Sequence, residues 1–248
     1  MTAAIIMAGG RSSRMRATNG SRHKALVPVL GIPMLERNLC ALLGSGFRDI
    51  TVAFAADEPA IDAFVASRAK ALADACGANV MPYREVRPLG TIGAVRAYAG
   101  RADAVVVVNV DNMTTLDLRE LADAHVTSGA AMTIATHDEP FTIPFGSVTV
   151  ADGDVVEYRE KPAYPVRISS GTYVLGPRAI AAIRPDVPTG VPELVSMLIG
   201  SGERVAAFEH NAIWIDVNDA AGVARAETLI RDHAGAFERS AAWAKNKT

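Results

Sequence analysis

Short apolar runs alternate with amphipathic stretches along the first half of the chain. The runs predict strands, at Ala3–Met7, Asp49–Phe54, Asn79–Arg84 and Ala104–Asn109. The stretches between them have helical spacing, at Ile32–Ser45, Asp57–Ala75 and Thr91–Ala99. Strands that are apolar throughout suit a parallel sheet covered by helices on both faces. The alternation therefore predicts a right-handed, doubly wound α/β layer.

The pattern changes in the second half of the chain. A helix at Asp117–Ser128 and a strand at Ala131–Thr136 continue the alternation, and a hairpin with an Asp152-Gly153 turn follows. The remaining predicted elements are two strands and two helical segments, at Gly171–Leu175, Ala206–Glu209, Val191–Gly200 and Ala220–Ala244. We expect an α/β fold with a doubly wound, mixed but mainly parallel sheet and a small substrate-facing lobe. We expect a single domain over residues 1–248, with a nucleotide-binding half at about 1–115, an acceptor-binding half at about 116–230 and a helical tail at about 220–248.

Composition narrows the class of protein. Half of the 248 residues are hydrophobic, 21% are charged and the formal net charge is −2, as in ordinary globular proteins. No long run of Lys and Arg suggests a nucleic-acid partner, and no apolar run is long enough to span a membrane. Cys40 and Cys76 lack CxxC spacing, so we expect two reduced, buried thiols in a cytoplasmic protein.

The first candidate site is the small-residue loop that follows the first strand. Two adjacent glycines let the main chain approach a phosphate, and successive amides in such a loop form an anion-binding concavity. Arg14 and Lys24 supply positive charge for a triphosphate. The loop is neither a Walker A motif nor the GxGxxG fingerprint, and a tight turn with a solvated arginine remains an alternative. The predicted nucleotide-binding residues here are Ala8, Gly9, Gly10, Arg11, Ser12 and Ser13.

A second segment, Leu89-Gly90-Thr91-Ile92-Gly93, precedes a predicted helix. Its backbone amides and the Thr91 hydroxyl would point from a helix N-terminus, with room for a flat base. Leu89, Gly90 and Thr91 are therefore candidates for binding the nucleotide. The alternative for this segment is an N-capped helix without a ligand.

Two aspartates are candidate metal ligands. Asp111 follows a predicted central strand, where ligands bind in open α/β sheets, and Asp216 lies in the apolar run Trp214–Val217. Carboxylate oxygens beside substrate phosphates suit Mg²⁺. A structural cap remains an alternative for either aspartate. Asn109 and Asn112 flank the first one, as candidates for contacts with nucleotide and acceptor respectively.

The acceptor-side candidates follow the hairpin. Lys161, in Glu160-Lys161-Pro162, could hold an anionic acceptor phosphate, and Glu160 could accept hydrogen bonds from sugar hydroxyls. Ser169 and Gly171, in Ser169–Tyr173, are further candidates for acceptor binding. Exposed Glu-Lys pairs are also common without any function.

In this order the motifs resemble the sugar-1-phosphate nucleotidylyltransferase family, which includes guanylyl-, thymidylyl-, uridylyl- and cytidylyltransferases. The family's GGxGTRLxPLT…PK is similar to the run from Gly9 to Lys24, and its LGTAGA is similar to Leu89–Ala94. Its NGD, EKP, NAGIY and WxDVGT resemble segments at 109–111, 160–162, 169–173 and 214–219. The resemblance extends from Ala4 to about Ile230 and implies a GT-A-like, Rossmann-like fold.

The resemblance also implies a mechanism and a set of roles. An acceptor phosphate attacks the α-phosphorus of a nucleoside triphosphate in line with departing pyrophosphate, and no general base is needed. Arg14, Lys24 and Lys161 would be catalytic. Mg²⁺, bound by Asp111 and Asp216, would be the cofactor. The partners would be a nucleoside triphosphate and a small phosphorylated acceptor, with a homo-oligomer possible and neither nucleic acid nor membrane involved.

Departures from the family pattern gather on the acceptor side. Val110 and Ser169 replace a glycine and an asparagine, and Asn218-Asp219 replaces Gly-Thr. We therefore expect an unusual acceptor, such as a modified hexose- or heptose-1-phosphate, a cyclitol phosphate or another small phosphorylated alcohol. The Gly-Thr-x-Gly segment favours GTP. The alternatives are a cytidylyltransferase acting on phosphocholine or a polyol phosphate, and a catalytically idle regulatory protein that binds nucleotide sugars; an oxidoreductase is disfavoured because its glycine fingerprint is missing.

Overall fold

The computed structural model describes residues 2–10 and 23–240 of the chain. A seven-stranded sheet forms its centre, and three two-stranded pairs complete the strands. The strands are β1 (Thr2–Met7), β2 (Pro28–Val29), β3 (Ile32–Pro33), β4 (Asp49–Ala55), β5 (Asn79–Glu85), β6 (Ala104–Asn109), β7 (Asn112–Thr114), β8 (Met132–Thr142), β9 (Ser147–Ala151), β10 (Asp154–Arg159), β11 (Ala163–Leu175), β12 (Val205–Glu209) and β13 (Trp214–Asp216).

The helices flank the central sheet. They are α1 (Met34–Gly44), α2 (Pro59–Phe64), α3 (Lys70–Ala75), α4 (Leu118–Ser128), α5 (Pro177–Ala182), α6 (Val191–Gly200), α7 (Ala220–Asp232) and α8 (Ala234–Ser240). A π-helical stretch, Val65–Ala69, joins α2 to α3, and 3-10 helices lie at Lys24–Leu26 and Gly93–Tyr98.

The strand order of the central sheet is β12-β8-β11-β6-β1-β4-β5. The pairs β6-β1, β1-β4, β4-β5 and β12-β8 are parallel, whereas β11 is antiparallel to both β6 and β8. The expected mixed but mainly parallel sheet is confirmed. Because β11 alone is reversed, its amino-terminal part lies at the edge where β1, β4, β5, β6 and β8 place their carboxyl ends. We call this edge the carboxyl edge.

Strand β6 shows why the central strands are apolar throughout. Val106 and Val108 pack into the core on one face of the sheet, and Val105 and Val107 pack into the core on the other face. All four side chains are buried. Burial of one valine is worth ~1.5–3 kcal/mol, so a polar residue at any of these positions would weaken one of the two cores.

Several boundaries differ from those predicted. The helix expected from Ile32 begins at Met34, because Ile32 and Pro33 pair with β2 instead. The helix expected over Thr91–Ala99 is a 3-10 helix over Gly93–Tyr98. The strand expected from Gly171 begins at Ala163, and α5 is an unpredicted helix.

Strands β8 and β11 continue beyond the sheet as a two-stranded arm. Their pairing extends to Thr142 and Ala163, and β9 and β10 form an antiparallel hairpin between them. The predicted turn is confirmed, since Asp152 and Gly153 both have positive φ, at 51° and 92°. Positive φ at both central residues is the geometry of a type I′ hairpin turn.

The two cysteines are free, as expected. Cys40 is buried on α1, and burial raises the pKa of its thiol to about 12, so the thiolate is scarce at neutral pH. Cys76 is only half-buried, which corrects the expectation of two buried thiols. Among the described helices, none combines the length and the apolarity that crossing a bilayer requires.

Candidate active site

The loop after β1 and the residues after β6 meet at the carboxyl edge. The Ala8 amide donates to the Ala53 carbonyl at 2.7 Å, and the Val110 amide donates to the Met7 carbonyl at 3.2 Å. These bonds fix the backbone at Met7 and Ala8, directly before Gly9 and Gly10. Asp111, directly after Val110, is thereby held beside the loop that starts at Ala8.

Lys24 and Asp111 form an ion pair across this edge. Lys24 Nζ lies 2.6 Å from Asp111 Oδ2, and the side chains are 18% and 15% exposed. A Cβ at Gly10 would lie 3.6 Å from Lys24 Nζ, so the ammonium group is close to the glycine loop as well. Two residues separated by 87 positions in sequence thus form one charged pair within reach of a ligand.

Asp216 lies opposite this pair. In the β13–β7 register Asp216 pairs with Asn112, and the Val217 amide donates to the Asp111 carbonyl at 3.0 Å. Burial and, second to it, the neighbouring Asp111 charge raise the pKa of Asp216 to about 6, against a smaller lowering by Lys24. The pairing of β13 with β7, which the sequence does not reveal, brings the two predicted metal ligands together.

We call Lys24, Asp111 and Asp216 the charged cluster. It holds two carboxylates against one described ammonium group, so a divalent cation with oxygen ligands fits its charge and its donor atoms. The described residues contain no group of three or more His, Cys, Asp or Glu side chains that could hold a metal. A metal at Asp111 and Asp216 would therefore need further oxygens from substrate phosphates or water.

His23 holds the end of the nucleotide loop. The Ala25 amide donates to His23 Nδ1 at 3.1 Å, which leaves the proton on Nε2 to donate to the Gly10 carbonyl at 2.9 Å. This buried imidazole therefore ties Gly10 to the turn that carries Lys24. Sequence reasoning missed His23, whose position directly before Lys24 was the available signal. The predicted residues Arg11, Ser12, Ser13 and Arg14 lie outside the described residues.

Glu85 is a second residue that sequence reasoning missed. Its carboxylate is buried at the carboxyl end of β5, where a Cβ on Gly9 would meet Oε2 at 3.1 Å. The Leu89 amide donates to Oε2 at 3.3 Å, and within residues 2–10 and 23–240 Oε1 has no hydrogen-bond partner. Burial raises the pKa of Glu85. A ligand bound at the glycine loop could supply a donor to this buried carboxylate oxygen.

Leu89, Gly90 and Thr91 are held by a second segment of the chain. The Thr189 amide donates to the Leu89 carbonyl at 2.8 Å, and the Ile92 amide donates to the Thr189 carbonyl at 3.1 Å. Gly90 has φ +81°, and a Cβ there would lie 2.5 Å from the Thr189 carbonyl oxygen. The Thr91 hydroxyl accepts from the Val191 amide at 3.2 Å. This bond joins Thr91 to the first residue of α6, and the predicted contacts of Leu89, Gly90 and Thr91 with the nucleotide remain predictions.

The acceptor-side residues Asn112 and Gly171 are in close contact. Gly171 has φ +68°, and a Cβ there would lie 2.1 Å from Asn112 Nδ2 and 3.0 Å from Asn109 Nδ2. Only glycine fits this position. Asn112 Nδ2 donates to the Ser170 carbonyl at 2.6 Å, and the predicted contact of Asn112 with the acceptor remains a prediction. Ser169 Oγ donates to the Tyr173 hydroxyl at 3.2 Å.

Two histidines, also missed by sequence reasoning, enclose Ser170. The Ala212 amide donates to His210 Nδ1 at 3.2 Å, and His210 Nε2 lies 2.7 Å from Ser170 Oγ. Ser170 Oγ lies 2.8 Å from His137 Nδ1, and His137 Nε2 lies 3.1 Å from Glu139 Oε1.

One direction of hydrogen-bond donation satisfies the chain of four bonds that runs from the Ala212 amide through His210, Ser170 and His137 to Glu139. The Ala212 amide can only donate, so His210 Nε2 carries a proton for Ser170, whose hydroxyl donates onward to His137. Trp214 Nε1 donates to the Ser170 carbonyl at 2.9 Å, and the Trp214 and His137 ring centroids are 4.7 Å apart. We call His137, Ser170 and His210 the neutral network.

Glu160 and Lys161 directly follow Arg159, the last residue of β10. Both are exposed, and the Tyr158 hydroxyl donates to Glu160 Oε2 at 3.1 Å. Lys161 has φ +45°, an uncommon conformation for a residue with a side chain. Their predicted contacts with the acceptor remain predictions.

Comparison with known proteins identifies the family of this chain. The profile of the family described as nucleotidyl transferase matches residues 3–232. Mannose-1-phosphate guanylyltransferase of Mycobacterium tuberculosis is 26% identical over 86% of this chain and 60% of its own length. Mannose-1-phosphate guanyltransferase of Debaryomyces hansenii is 29% identical over the same two shares. This chain thus spans about 60% of the length of these curated relatives.

Solved structures share the fold. HddC from Yersinia pseudotuberculosis superposes with a TM-score of 0.69 at 23% identity, over 92% of this chain and 99% of that one. Its complex with GMP-PN superposes with a TM-score of 0.68 at the same identity and coverage. The match of the family profile over most of the chain confirms the resemblance drawn from the motifs. The chain belongs to the nucleotidyl transferase family.

Proposed function

We propose that this member of the nucleotidyl transferase family transfers a nucleoside monophosphate from a nucleoside triphosphate, GTP by preference, to a sugar-1-phosphate. The products are a nucleoside diphosphate sugar and pyrophosphate. The observation that carries the proposal is the charged cluster at the carboxyl edge, where Lys24 and Asp111 lie 2.6 Å apart and Asp216 lies opposite. In open α/β sheets this edge is where ligands bind.

Nucleotidyl transfer requires that the two phosphates be positioned for reaction and that their negative charge be neutralised. An acceptor phosphate oxygen forms a bond to the α-phosphorus while the bond from that phosphorus to the pyrophosphate oxygen breaks. The attacking phosphate is already ionised at neutral pH, so no side chain has to remove a proton. Lys24 would neutralise charge on the reacting phosphates. Arg14 and the backbone amides of residues 9–13 would hold the β- and γ-phosphates.

Asp111 and Asp216 would hold Mg²⁺. The raised pKa of Asp216 supports this assignment, because a bound cation would offset both the burial of its carboxyl group and the repulsion from Asp111. Mg²⁺ bound there would withdraw charge from the phosphate oxygens. Lys24 holds the Asp111 carboxylate in place through their ion pair.

Glu85 supports the choice of GTP. A carboxylate only accepts hydrogen bonds, and guanine presents two adjacent donors, N1–H and N2–H₂, where the other common bases present no such pair. Two donors from a base would satisfy Oε1 and offset the burial that raises the pKa of Glu85. The names of the relatives, which are guanylyltransferases, agree with this preference.

The acceptor would lie on the other side of the charged cluster, against Ser169 and Gly171. Glu160 would hold sugar hydroxyls, and Lys161 would orient the acceptor phosphate, although both are on the exposed arm. The relatives are named for mannose-1-phosphate, which favours a sugar-1-phosphate over phosphocholine or a polyol phosphate. The altered acceptor motifs support a modified sugar. We further propose that residues up to about 115 bind the nucleotide and those from about 116 to 230 the acceptor.

Pyrophosphate release tests the proposal directly. GTP, CTP, dTTP, UTP and ATP are each combined with Mg²⁺ and a panel of hexose-1-phosphates, heptose-1-phosphates, cyclitol phosphates and phosphocholine. We expect release that depends on the acceptor and is fastest with GTP. Tight binding of a nucleotide sugar without release in any pairing would instead identify a regulatory protein.

Glu85→Gln sharpens the test of base choice. Inosine triphosphate lacks the N2 amine of GTP, so wild type should prefer GTP over it in kcat/KM by roughly 10- to 100-fold, the range for a hydrogen bond to a charged group. We expect that preference to fall most of the way to unity in Glu85→Gln. Glu120→Gln, at an exposed position of α4, is the matched control and should keep it. An unchanged preference in Glu85→Gln would remove Glu85 from the base site.

A further inference from the structure

Strand β11 carries an irregular segment in its middle. Between Ser169 and Tyr173 its register with β8 shifts, so that the three residues in between lie opposite a single residue of β8. Its register with β6 begins only at Thr172. We call Ser170 and Gly171 the bulge. Bulges interrupt the ladder of hydrogen bonds and re-aim the strand, and they are frequent next to active sites.

Side chains from four other segments hold the bulge in place. The Ser170 hydroxyl lies 2.8 Å from His137 of β8 and 2.7 Å from His210, which follows β12. The Ser170 carbonyl accepts from Asn112 of β7 at 2.6 Å and from Trp214 of β13 at 2.9 Å. Ser170 itself is 1% exposed. A buried polar network whose members are all satisfied rigidifies the backbone that it joins.

The two donors to the Ser170 carbonyl are close in sequence to the predicted metal ligands. Asn112 directly follows Asp111, and Trp214 lies two residues before Asp216. The segments that contain these donors pair with each other as β7 and β13. The bulge is therefore tied to the segments that carry both carboxylates of the charged cluster.

Gly171 brings the bulge close to the end of β6. It has φ +68°, and a Cβ at this position would overlap the side-chain amide of Asn112 and lie 3.0 Å from that of Asn109. Asn109 is the last residue of β6, two positions before Asp111. A side chain in place of the Gly171 hydrogen would push the bulge away from the segment that carries Asp111.

We propose that the neutral network is a positioning device, which holds the bulge so that an acceptor bound against Ser169 and Gly171 meets the metal ligands at a fixed distance. The inference rests on the proposed function, which assigns the acceptor to this side of the charged cluster. His210 acts through Ser170, so it is a positioning residue rather than a catalytic one. A rigid bulge matters because misplacing a reactant by about 1 Å can slow a reaction roughly 10²-fold.

Kinetics of two His210 variants test the inference. His210→Leu removes the donor to the Ser170 hydroxyl, whereas His210→Gln keeps a donor there. With the acceptor that wild type uses best, kcat/KM for the acceptor should fall roughly 10-fold in His210→Leu and stay within about 2-fold of wild type in His210→Gln. The KM for GTP should not change in either variant. If His210→Leu folds poorly, Ser170→Ala removes the same bond with a smaller change of volume and should show the same split.

His125→Leu is the matched control. His125 Nδ1 lies 2.8 Å from the buried Thr133 hydroxyl, and burial lowers the pKa of His125 as it does that of His210. His125 lies near Gly176, which directly follows β11, at the end of that strand opposite the carboxyl edge. His125→Leu should lose thermal stability as His210→Leu does but keep the wild-type KM for the acceptor. An equal rise of that KM in both variants would overturn the inference.

A binding measurement separates this inference from the proposed function. By calorimetry, wild type should bind GDP-mannose more tightly than GDP, and His210→Leu should lose most of that difference while His125→Leu keeps it. Because the measurement needs no turnover, this result would support the positioning role even if wild type released no pyrophosphate.

Two results would contradict the inference. Pyrophosphate release by His210→Leu with the wild-type KM for the acceptor would overturn the positioning role and leave the proposed function standing. A wild type that neither releases pyrophosphate nor gains affinity from the sugar of GDP-mannose would overturn both.

Discussion

The charged cluster and the neutral network occupy the same edge of the sheet but are built in opposite ways. Lys24, Asp111 and Asp216 are ionisable groups with more negative than positive charge among them. His137 and His210 are joined to Ser170 by hydrogen bonds that satisfy each partner in its neutral form. The charged cluster therefore carries excess negative charge that a bound cation would balance. The neutral network has its hydrogen bonds satisfied by protein groups alone.

This difference explains what each side can contribute. Unbalanced charge at the cluster is suited to phosphates and a cation, whose charge changes as the reaction proceeds. A satisfied network fixes shape, because a change of any member leaves a buried polar group without its partner. The two sides should also respond to acid with opposite signs, since burial raises the pKa of Asp216 but lowers that of His210.

The largest effect should come from removing the ammonium group of Lys24 from the charged cluster. We expect Lys24→Ala to lose roughly 10²- to 10³-fold in kcat for pyrophosphate release, the scale for one electrostatic partner of a transition state. Lys70→Ala is the matched control, because Lys70 also pairs with a carboxylate, Asp74 at 2.9 Å, but on the surface of α3. Near-wild-type turnover in Lys24→Ala would refute the assignment of the active site.

The second effect tests packing on the acceptor side. Gly171→Ala forces a Cβ to within 2.1 Å of Asn112 Nδ2 at a φ of +68°, so we expect a loss of ~2–4 kcal/mol in the free energy of unfolding. Gly77→Ala separates the two causes, since Gly77 has φ +61° with open space around it. It should lose only ~1 kcal/mol in urea unfolding. Equal losses in the two variants would mean that the contact with Asn112 is unimportant.

The third effect is a gain in stability when Asp216 is replaced, at the expense of activity. Because the pKa of Asp216 is raised to about 6, the folded chain keeps a proton between about pH 4 and pH 6 that the unfolded chain releases. Stability is therefore lost as pH rises through that window. In metal-free buffer, Asp216→Asn should be more stable than wild type by roughly 1–3 kcal/mol at pH 7 and little changed at pH 4.

The same Asp216→Asn substitution should abolish most Mg²⁺-dependent turnover. Asp138→Asn, at an exposed aspartate paired with Arg167, serves as the control and should not gain stability at neutral pH. A destabilised Asp216→Asn at neutral pH would show that Asp216 is a structural cap rather than a crowded ligand.

The smallest effect concerns the neutral network. Burial and the neighbouring His137 lower the pKa of His210, so below pH 6.5 the unfolded chain binds a proton that the folded chain does not. Stability from this group is present above pH 6.5 and is lost as pH falls, because a proton on His210 Nδ1 would face the Ala212 amide.

His210→Gln keeps a donor for Ser170 but does not titrate. Its loss of Tm between pH 6.5 and pH 5 should be smaller than that of wild type by about 1–3 °C. His233→Gln, at an exposed histidine after α7, should behave as wild type does. An identical pH profile for His210→Gln would mean that the network carries no proton-linked energy.

Local pattern was sufficient to predict most of the sheet. Continuous apolar runs such as Ala104–Asn109 indicate strands buried on both faces, and the structure confirms that strand residue for residue. Boundaries that depend on pairing were wrong, since Ile32–Pro33 joins a strand and β11 extends back to Ala163. Nothing in a local window shows which segment will find a partner strand.

The residues of the candidate site likewise fall into those that the sequence could identify and those that it could not. Motif residues such as Lys24 and Asp111 could be chosen because glycine loops and strand-end carboxylates have recognisable spacing. Glu85 and the two histidines of the neutral network could not be, since a single Glu or His in sequence carries no sign of burial or of partners. Their roles depend on contacts such as that between His137 and Ser170, separated by 33 positions.

By itself, the sequence determined the fold class, the turn at Asp152-Gly153 and the order of the motifs predicted to bind phosphate and metal, because these follow from local periodicity and residue chemistry. Only the tertiary structure decided that Asp216 meets Asp111, that Asn112 donates to the Ser170 carbonyl, and that apolar side chains of the β9–β10 hairpin stay exposed. Those outcomes depend on how distant segments pair and pack, and the energies of such contacts are not written in any short stretch of chain.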